Sequence, residues 1–208
     1  MIGVFDYTVI LTYLSTVGAV AGIFFAVSGY QILPVVLLII CGIIDLIDGP
    51  VARTKKDRSE TEKHFGIQID SLNDLVSFGV FPAVIGFMLR PGFTPEKIIF
   101  VLFPLCGLIR LAWFNVQEEE RQKSTNEKRK YYTGLPITTS SIVIPAVYIA
   151  LRPFLSDMAY YIVNAVVYAV LGYLFVSKFQ IPKPQKTGML VLLGFGGAGF
   201  RRKVSAER

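Results

Sequence analysis

The chain is poor in charge and almost empty of the residues that build soft-metal or redox sites. Its 208 residues include two cysteines and one histidine. Cys41 and Cys106 fall in separate apolar runs with no histidine or second cysteine nearby. That excludes a cysteine-based metal site and leaves them as small buried hydrophobes rather than a disulfide. His64 falls in a charged loop, where a solvated side chain is the simplest reading. Only 17% of residues are charged against 53% hydrophobic, and the mean hydropathy is +0.55. A soluble domain does not need that much apolar material for its core, so the chain reads as a membrane protein. No internal repeat is evident and no extramembrane stretch is long enough for a second core, which predicts one membrane domain over residues 1–187. Residues 188–208 form a short tail, apolar then basic. The first seven residues carry no lysine or arginine, which argues against a cleavable signal peptide.

Apolar runs fall near residues 8–29, 32–51, 67–89, 97–117, 135–151 and 157–177. Each approaches the roughly 20 residues that a spanning helix requires. They are too long, and lack the alternation, for the wall of a β-barrel. The expectation is an all-α integral membrane protein, a bundle of about six transmembrane helices. The segment GMLVLLGFGGAGF (188–200) is short for a span and rich in glycine, which suits a re-entrant, interfacial or peripheral segment better. Gly18 and Gly22 make a small-xxx-small pair, a mark of close helix packing within a bundle; a homodimer stays open.

Basic residues orient the bundle, because loops rich in lysine and arginine stay in the cytoplasm. Arg53, Lys55, Lys56, Arg58 and Lys63 lie between the second and third runs. Arg121, Lys123, Lys128, Arg129 and Lys130 lie between the fourth and fifth, and Lys178, Lys183 and Lys186 follow the sixth. The opposite loops hold little beyond Arg90, Lys97 and Arg152. Both termini are therefore expected inside the cell. The net charge of +6 sits in short connections rather than on a recognition element, which argues against nucleic acid. It favours contact with anionic membrane lipids.

Carboxylates are the exception to the apolar text. In IICGIIDLIDGPVARTKK (39–56), Asp45 and Asp48 enter the cytoplasmic half of the second span; in GIQIDSLNDLVSFGVFPA (66–83), Asp70 and Asp74 occupy the first turns of the third. The i,i+3 and i,i+4 spacings put each pair on one helix face, at a common depth. An unpaired aspartate in mid-span costs about 2.5–3.5 kcal/mol on insertion scales, so four of them require a positive partner. Helix capping or pairing with the basic loop accounts for one such residue and poorly for four. Four hard oxygen donors suit Mg²⁺ or Mn²⁺, and their charge allows two divalent cations in a polar cavity at the cytoplasmic side. Gly49 and Ala52 remove bulk beside Asp48, Pro50 withholds a backbone donor, and Arg53 supplies a cation for a phosphate or pyrophosphate.

At these positions the sequence resembles the CDP-alcohol phosphatidyltransferase family, whose motif reads DxxDGxxAR followed by GxxxDxxxD. Asp45, Asp48, Gly49, Ala52, Arg53, Gly66, Asp70 and Asp74 supply it here. Twelve residues, 54–65, separate the two halves, about four more than is usual in the family, equivalent to roughly one helical turn. The segments DSLNDLVSFGVFPA (70–83), CGLIRLAWFNV (106–116) and YYTGLPITTSS (131–141) resemble the phosphatidylserine synthase branch. They depart from it at Trp113, where that branch commonly has arginine, and at Thr138, commonly proline; Ser15 stands where asparagine is common.

The resemblance implies two divalent metals bridging the pyrophosphate of the substrate, with Asp45, Asp48 and Asp70 as principal ligands and Asp74 as ligand, base or both. It implies CDP-lipid contacts at Asp45, Gly49, Ala52, Arg53 and Gly66. The implied reaction is attack by L-serine on CDP-diacylglycerol, or on its archaeal counterpart CDP-archaeol, with CMP leaving. Arg110 is the best intramembrane cation for the phosphate or the serine carboxylate, with Asn115, Asn73 and Ser77 as further hydrogen-bonding candidates; the alternative for Arg110 is an ion pair with an aspartate of the cluster, and for the other three ordinary interhelical bonds. Two rivals stand. A sibling transferase using glycerol 3-phosphate or inositol phosphate would keep all eight motif residues. A divalent-cation transporter would use the carboxylates for cargo, but these cluster near one face rather than along an alternating-access path.

Overall fold

The computed structural model describes residues 2–92, 94–124 and 131–182. The tail at 188–208 and the domain boundary at 187 lie outside the described residues. Helix α1 (Tyr7–Val27) starts where the Asp6 carboxylate accepts from Thr8 N at 2.8 Å. A tight reversal with Gly29 at φ +89° then leads into α2 (Ile32–Ala52). Helix α3 (Glu60–Asp74) opens on a capping box, in which Ser59 Oγ accepts from Glu62 N and Glu62 accepts from Ser59 N. That arrangement satisfies two otherwise orphaned donors. It continues through a π-helical turn, Leu75–Val80, into α4 (Phe81–Met88). A 3₁₀ turn, Pro95–Lys97, precedes α5 (Ile98–Ser124); another, Ile137–Thr139, precedes α6 (Ser140–Leu151); α7 spans Asp157–Val176.

Among the described residues, five helical segments are long and apolar enough to cross a membrane: Tyr7–Val27, Ile32–Ala52, Glu60–Met88, Pro95–Arg121 and Asp157–Val176. They make this a helical, multi-pass membrane protein. The run expected at 135–151 forms a shorter apolar helix, Ile137–Leu151. At 1.5 Å per residue it reaches only about 22 Å, short of a hydrocarbon core of about 30 Å.

Packing follows the rule for helices in lipid, where small residues admit a neighbour and large apolar ones face outward. α1 packs along α2, α5 along α7, and α6 against α2. A Cβ on Gly22 would stand 2.1 Å from Phe81 Cζ, and one on Gly42 would stand 2.3 Å from Ser141 Oγ. The buried core gathers Leu38, Phe78, Phe81, Phe100, Phe103, Ile144, Tyr161, Tyr168 and Phe175, while Val17, Phe24, Ile32, Ile149 and Tyr173 are exposed.

One small sheet accompanies the helices. β1 (Tyr131–Thr133) pairs antiparallel with β2 (Gln180–Pro182), joining the α5–α6 connection to the chain beyond α7. Gly134 follows at φ +75° with its N–H donating to Phe179 O at 2.7 Å. A side chain there would meet the carbonyls of Ser177 and Phe175 at 3.0 and 3.1 Å.

Candidate active site

Asp45 comes from the last third of α2, and Asp70 and Asp74 come from successive turns of α3. One carboxylate oxygen from each lies within 4.8 Å of the other two. Opposed oxygen ligands on Mg²⁺ stand about 4.2 Å apart, so the trio is close to the size of an ion site. The Asp74 Oδ1 atom is buried without a hydrogen-bond partner. An acceptor in that state is costly unless a cation or donor reaches it, and oxygen-only donors match a hard divalent ion.

Asp48 stands apart from the trio. It is buried, 7% exposed, and its Oδ2 accepts a long 3.5 Å contact from Thr12 Oγ1 on α1. The four aspartates do not serve the helix ends, since α3 is capped by Ser59, and Arg53 ends α2 through its backbone N–H. Among the described residues no lysine or arginine forms an ion pair with any of them. Two of the basic residues between the second and third apolar runs pair elsewhere: Lys55 Nζ bridges Asp6 at 2.8 Å and Glu62 at 2.7 Å, and Lys63 Nζ meets Glu60 at 2.7 Å.

Glycines adjoin the cluster on both helices. A Cβ on Gly49 would meet Arg53 Nη1 at 3.5 Å, and a Cβ on Gly66 would meet Arg58 Nη2 at 2.6 Å. Arg53 is exposed and makes no ion pair among the described residues, and Ala52 is half-buried beside it. Hard anionic donors and a guanidinium thus stand on the same stretch of α2 and of the connector and α3, a set of groups suited to a metal-bound phosphate ester.

The sequence of residues 7–176 matches the family model described as CDP-alcohol phosphatidyltransferase. The chain belongs to the CDP-alcohol phosphatidyltransferase family. A Saccharomyces cerevisiae protein named CDP-diacylglycerol–serine O-phosphatidyltransferase is 42% identical over 124 residues, which cover 59% of this chain and 43% of the yeast protein. An archaetidylserine synthase of Methanothermobacter thermautotrophicus is 29% identical over 180 residues, 86% of this chain and 70% of that one. A CDP-diacylglycerol–serine O-phosphatidyltransferase of Methanocaldococcus jannaschii is 30% identical over 143 residues, 68% and 59% respectively. The chain thus spans less than half the length of the yeast relative and somewhat more of the archaeal ones.

The remaining candidates of this family member are held by the protein's own bonds. Arg110, 5% exposed on α5, donates from Nε to Leu135 O at 3.0 Å and lies over the Phe114 ring. It ties α5 to the start of α6. Asn115 pairs with Ser71, its Nδ2 donating to Ser71 Oγ at 2.9 Å, and so braces the turn of α3 next to Asp70. Asn73 Oδ1 accepts from Thr16 Oγ1 at 2.9 Å and Ser77 Oγ at 3.0 Å, while its Nδ2 is buried without an acceptor.

Thr12, Thr16 and Arg58 were not singled out from sequence. A signal for the first two was present, because Thr8, Thr12, Ser15 and Thr16 recur at helical spacing through an apolar span. The π turn immediately after Asp74 was likewise unforeseen. Pro82 has no N–H to return to the Phe78 carbonyl four residues back; Ser140 Oγ donates to that carbonyl at 2.9 Å instead. Ser77, buried within this turn, is 3.5 Å from Ser15 Oγ. The Phe78 carbonyl of this segment is thus satisfied from α6, as a polar group inside a membrane protein must be.

Proposed function

We propose that this protein transfers the phosphatidyl, or archaetidyl, group of a CDP-linked lipid to L-serine, releasing CMP. The observation that carries the reading is the convergence of Asp45, Asp70 and Asp74 within 4.8 Å on two neighbouring apolar helices. The acceptor is taken from the names of the relatives, serine transferases of yeast and archaea. CDP-diacylglycerol and CDP-archaeol are the two candidate donors. Residues 1–187 form the membrane domain in this reading, with Ile137–Leu151 and its flanks completing a sixth crossing. The basic connectors place the site and both termini at the cytoplasmic side.

Asp45, Asp70 and Asp74 would hold one divalent cation, Mg²⁺ or Mn²⁺, and Asp48 would help to hold a second. Ions bound there neutralise charge on the pyrophosphate and on departing CMP. Arg53 contributes a fixed guanidinium to the same phosphates. Gly49, Ala52 and Gly66 keep side-chain bulk off the two helix faces at the nucleotide site, while the lipid chains stay in the bilayer. The serine hydroxyl oxygen bonds to the lipid-linked phosphorus as the phosphorus–oxygen bond to CMP breaks. CMP departs with that electron pair, and the hydroxyl proton passes to the Asp74 carboxylate. Asp74 is suited to this role because its Oδ1 lacks a donor. Arg110, Asn73, Ser77 and Asn115 support the acceptor side of the pocket.

Purified protein is to be assayed for CMP release with each CDP-lipid, with and without a divalent ion, against L-serine, glycerol 3-phosphate and inositol phosphate. Turnover only with serine and metal is the expected result. Turnover with a phosphorylated polyol would reassign the acceptor, and metal uptake into proteoliposomes with no CMP release would overturn the transferase reading.

A further inference from the structure

We infer that Arg58 is a second phosphate-binding guanidinium, supplied to the nucleotide site by the connector between α2 and α3. This rests on the reading of the cluster as a CDP-lipid site and deepens it. Gly66, Asp70 and Asp74 recur every four residues and so run along one face of α3. Arg58 covers the Gly66 end of that face, its Nη2 2.6 Å and its Cζ 3.7 Å from where a Cβ would stand. The same relation holds on α2. There Arg53 covers Gly49, four residues from Asp45. Each carboxylate-bearing face therefore ends, toward the connector, in a glycine under a guanidinium.

Arg58 is not saturated as a bracing residue would be. Its Nη2 donates to Glu62 O at 3.0 Å, but its Nε is buried with no acceptor. No carboxylate pairs with it among the described residues. Lys55, three residues earlier, shows the contrast, since both Asp6 and Glu62 hold its ammonium. A buried N–H on a cation without an acceptor is costly, and paired phosphate oxygens fit the planar fork of arginine better than any other common anion except carboxylate. Carboxylates are what this site already has in excess, so the fitting ligand is a nucleoside diphosphate.

The test uses the full chain with CDP as the probe. In the presence of Mg²⁺, Arg58→Gln is expected to raise the Kd for CDP about tenfold, equivalent to about 1.4 kcal/mol. Arg58→Lys, which keeps the charge and loses the fork, is expected to raise it about threefold, and it holds the test open if the glutamine variant does not fold. Mn²⁺ affinity without nucleotide, read by electron paramagnetic resonance, is expected to stay at the wild-type value. A Kd for CDP within twofold of wild type in both variants would overturn the inference. So would a parallel loss of Mn²⁺ affinity and melting temperature, which would make Arg58 a brace for α3. Wild-type protein that fails to bind CDP at all would overturn the nucleotide-site reading itself, a result distinct from either.

Discussion

Asp74→Asn keeps the shape of the side chain and removes one charge from the trio, so its effect on stability and its effect on turnover are expected to have opposite signs. The Asp74 oxygen lies within 4.8 Å of ligand atoms on both Asp45 and Asp70. Two ionised carboxylates at that separation repel by about 3.5 kcal/mol at an effective dielectric of about 20. Without divalent ions, asparagine relieves two such contacts, and the variant is expected to melt several degrees above wild type. With Mg²⁺ the order reverses. An ion at a hundred times its Kd stabilises the folded state by about 2.7 kcal/mol, and the variant forfeits much of that with its ligand. Turnover in Mg²⁺ falls by roughly 10²–10⁴ for a lost proton acceptor, while CDP-lipid binding persists through Arg53 and the remaining aspartates. Thermal melts in EDTA and in Mg²⁺, together with CMP release, test all of this in one preparation. Turnover within tenfold of wild type would refute the proton-accepting role. A melting shift of the same sign in both buffers would refute the placement of Asp74 in the ion site.

Arg53→Ala is expected to raise the KM for CDP-lipid about tenfold and leave the melting temperature unchanged, since Arg53 makes no ion pair among the described residues; an unchanged KM would make it a surface anchor. Gly22→Ala places a Cβ 2.1 Å from the buried Phe81 ring and is expected to cost about 1–3 kcal/mol. Gly18→Ala meets only Cys41 Sγ at 3.6 Å and serves as the neutral control in the same detergent melts. Lys55 and Thr8 hold the Asp6 carboxyl down to about 2, against an ordinary 3.8. A depressed pKa means that the clip contributes above about pH 4 and is lost as pH falls through about 2. Melting temperatures of wild type and Asp6→Asn are therefore expected to differ at neutral pH and converge near pH 2.

The trio was legible because it depends only on spacing and depth. Aspartates three and four residues apart share a helix face wherever the helix packs, and two antiparallel spans bring equal depths together. The small residues were legible for the same reason, with Gly18 against Cys41 and Gly22 against Phe81. Features that depend on distant partners were not. The strand pair joins Tyr131 to Pro182 across two helices, and nothing in either tripeptide specifies the other. At the π turn Pro82 has no N–H for the Phe78 carbonyl, and the donor to that carbonyl comes from Ser140 on another helix. Ile137–Leu151 read as a full span because Leu135 and Pro136 are apolar, yet Leu135 O is taken by Arg110 and its N–H by Leu174 O. Those bonds hold that segment in an extended link rather than in the helix. Arg58 was hidden among five basic residues that read as topological, and its place over Gly66 together with its lack of a carboxylate partner among the described residues separates it from Lys55.

The isolation of Asp48 follows from the same helix arithmetic that assembles the trio. At 100° per residue, Asp70 and Asp74 are offset by about 40° around α3, whereas Asp45 and Asp48 are offset by about 60° in the opposite sense around α2. The pair on α3 therefore points nearly one way while the pair on α2 splays. If Asp45 faces Asp70 and Asp74, then Asp48 turns aside, and the structure shows it turned toward α1, where Thr12 meets it. The DxxD spacing is thus a device for holding two carboxylates at one depth without merging them. On the proposed two-ion reading this separates the roles. The trio supplies one ion with protein ligands alone, and Asp48 gives the other a single carboxylate, the kind of Mg²⁺ site that substrate phosphate and water normally complete. An i,i+4 spacing on α2 would have drawn Asp48 into the trio and left no carboxylate for a second ion, which gives the three-residue interval a physical reason independent of the motif in which it occurs.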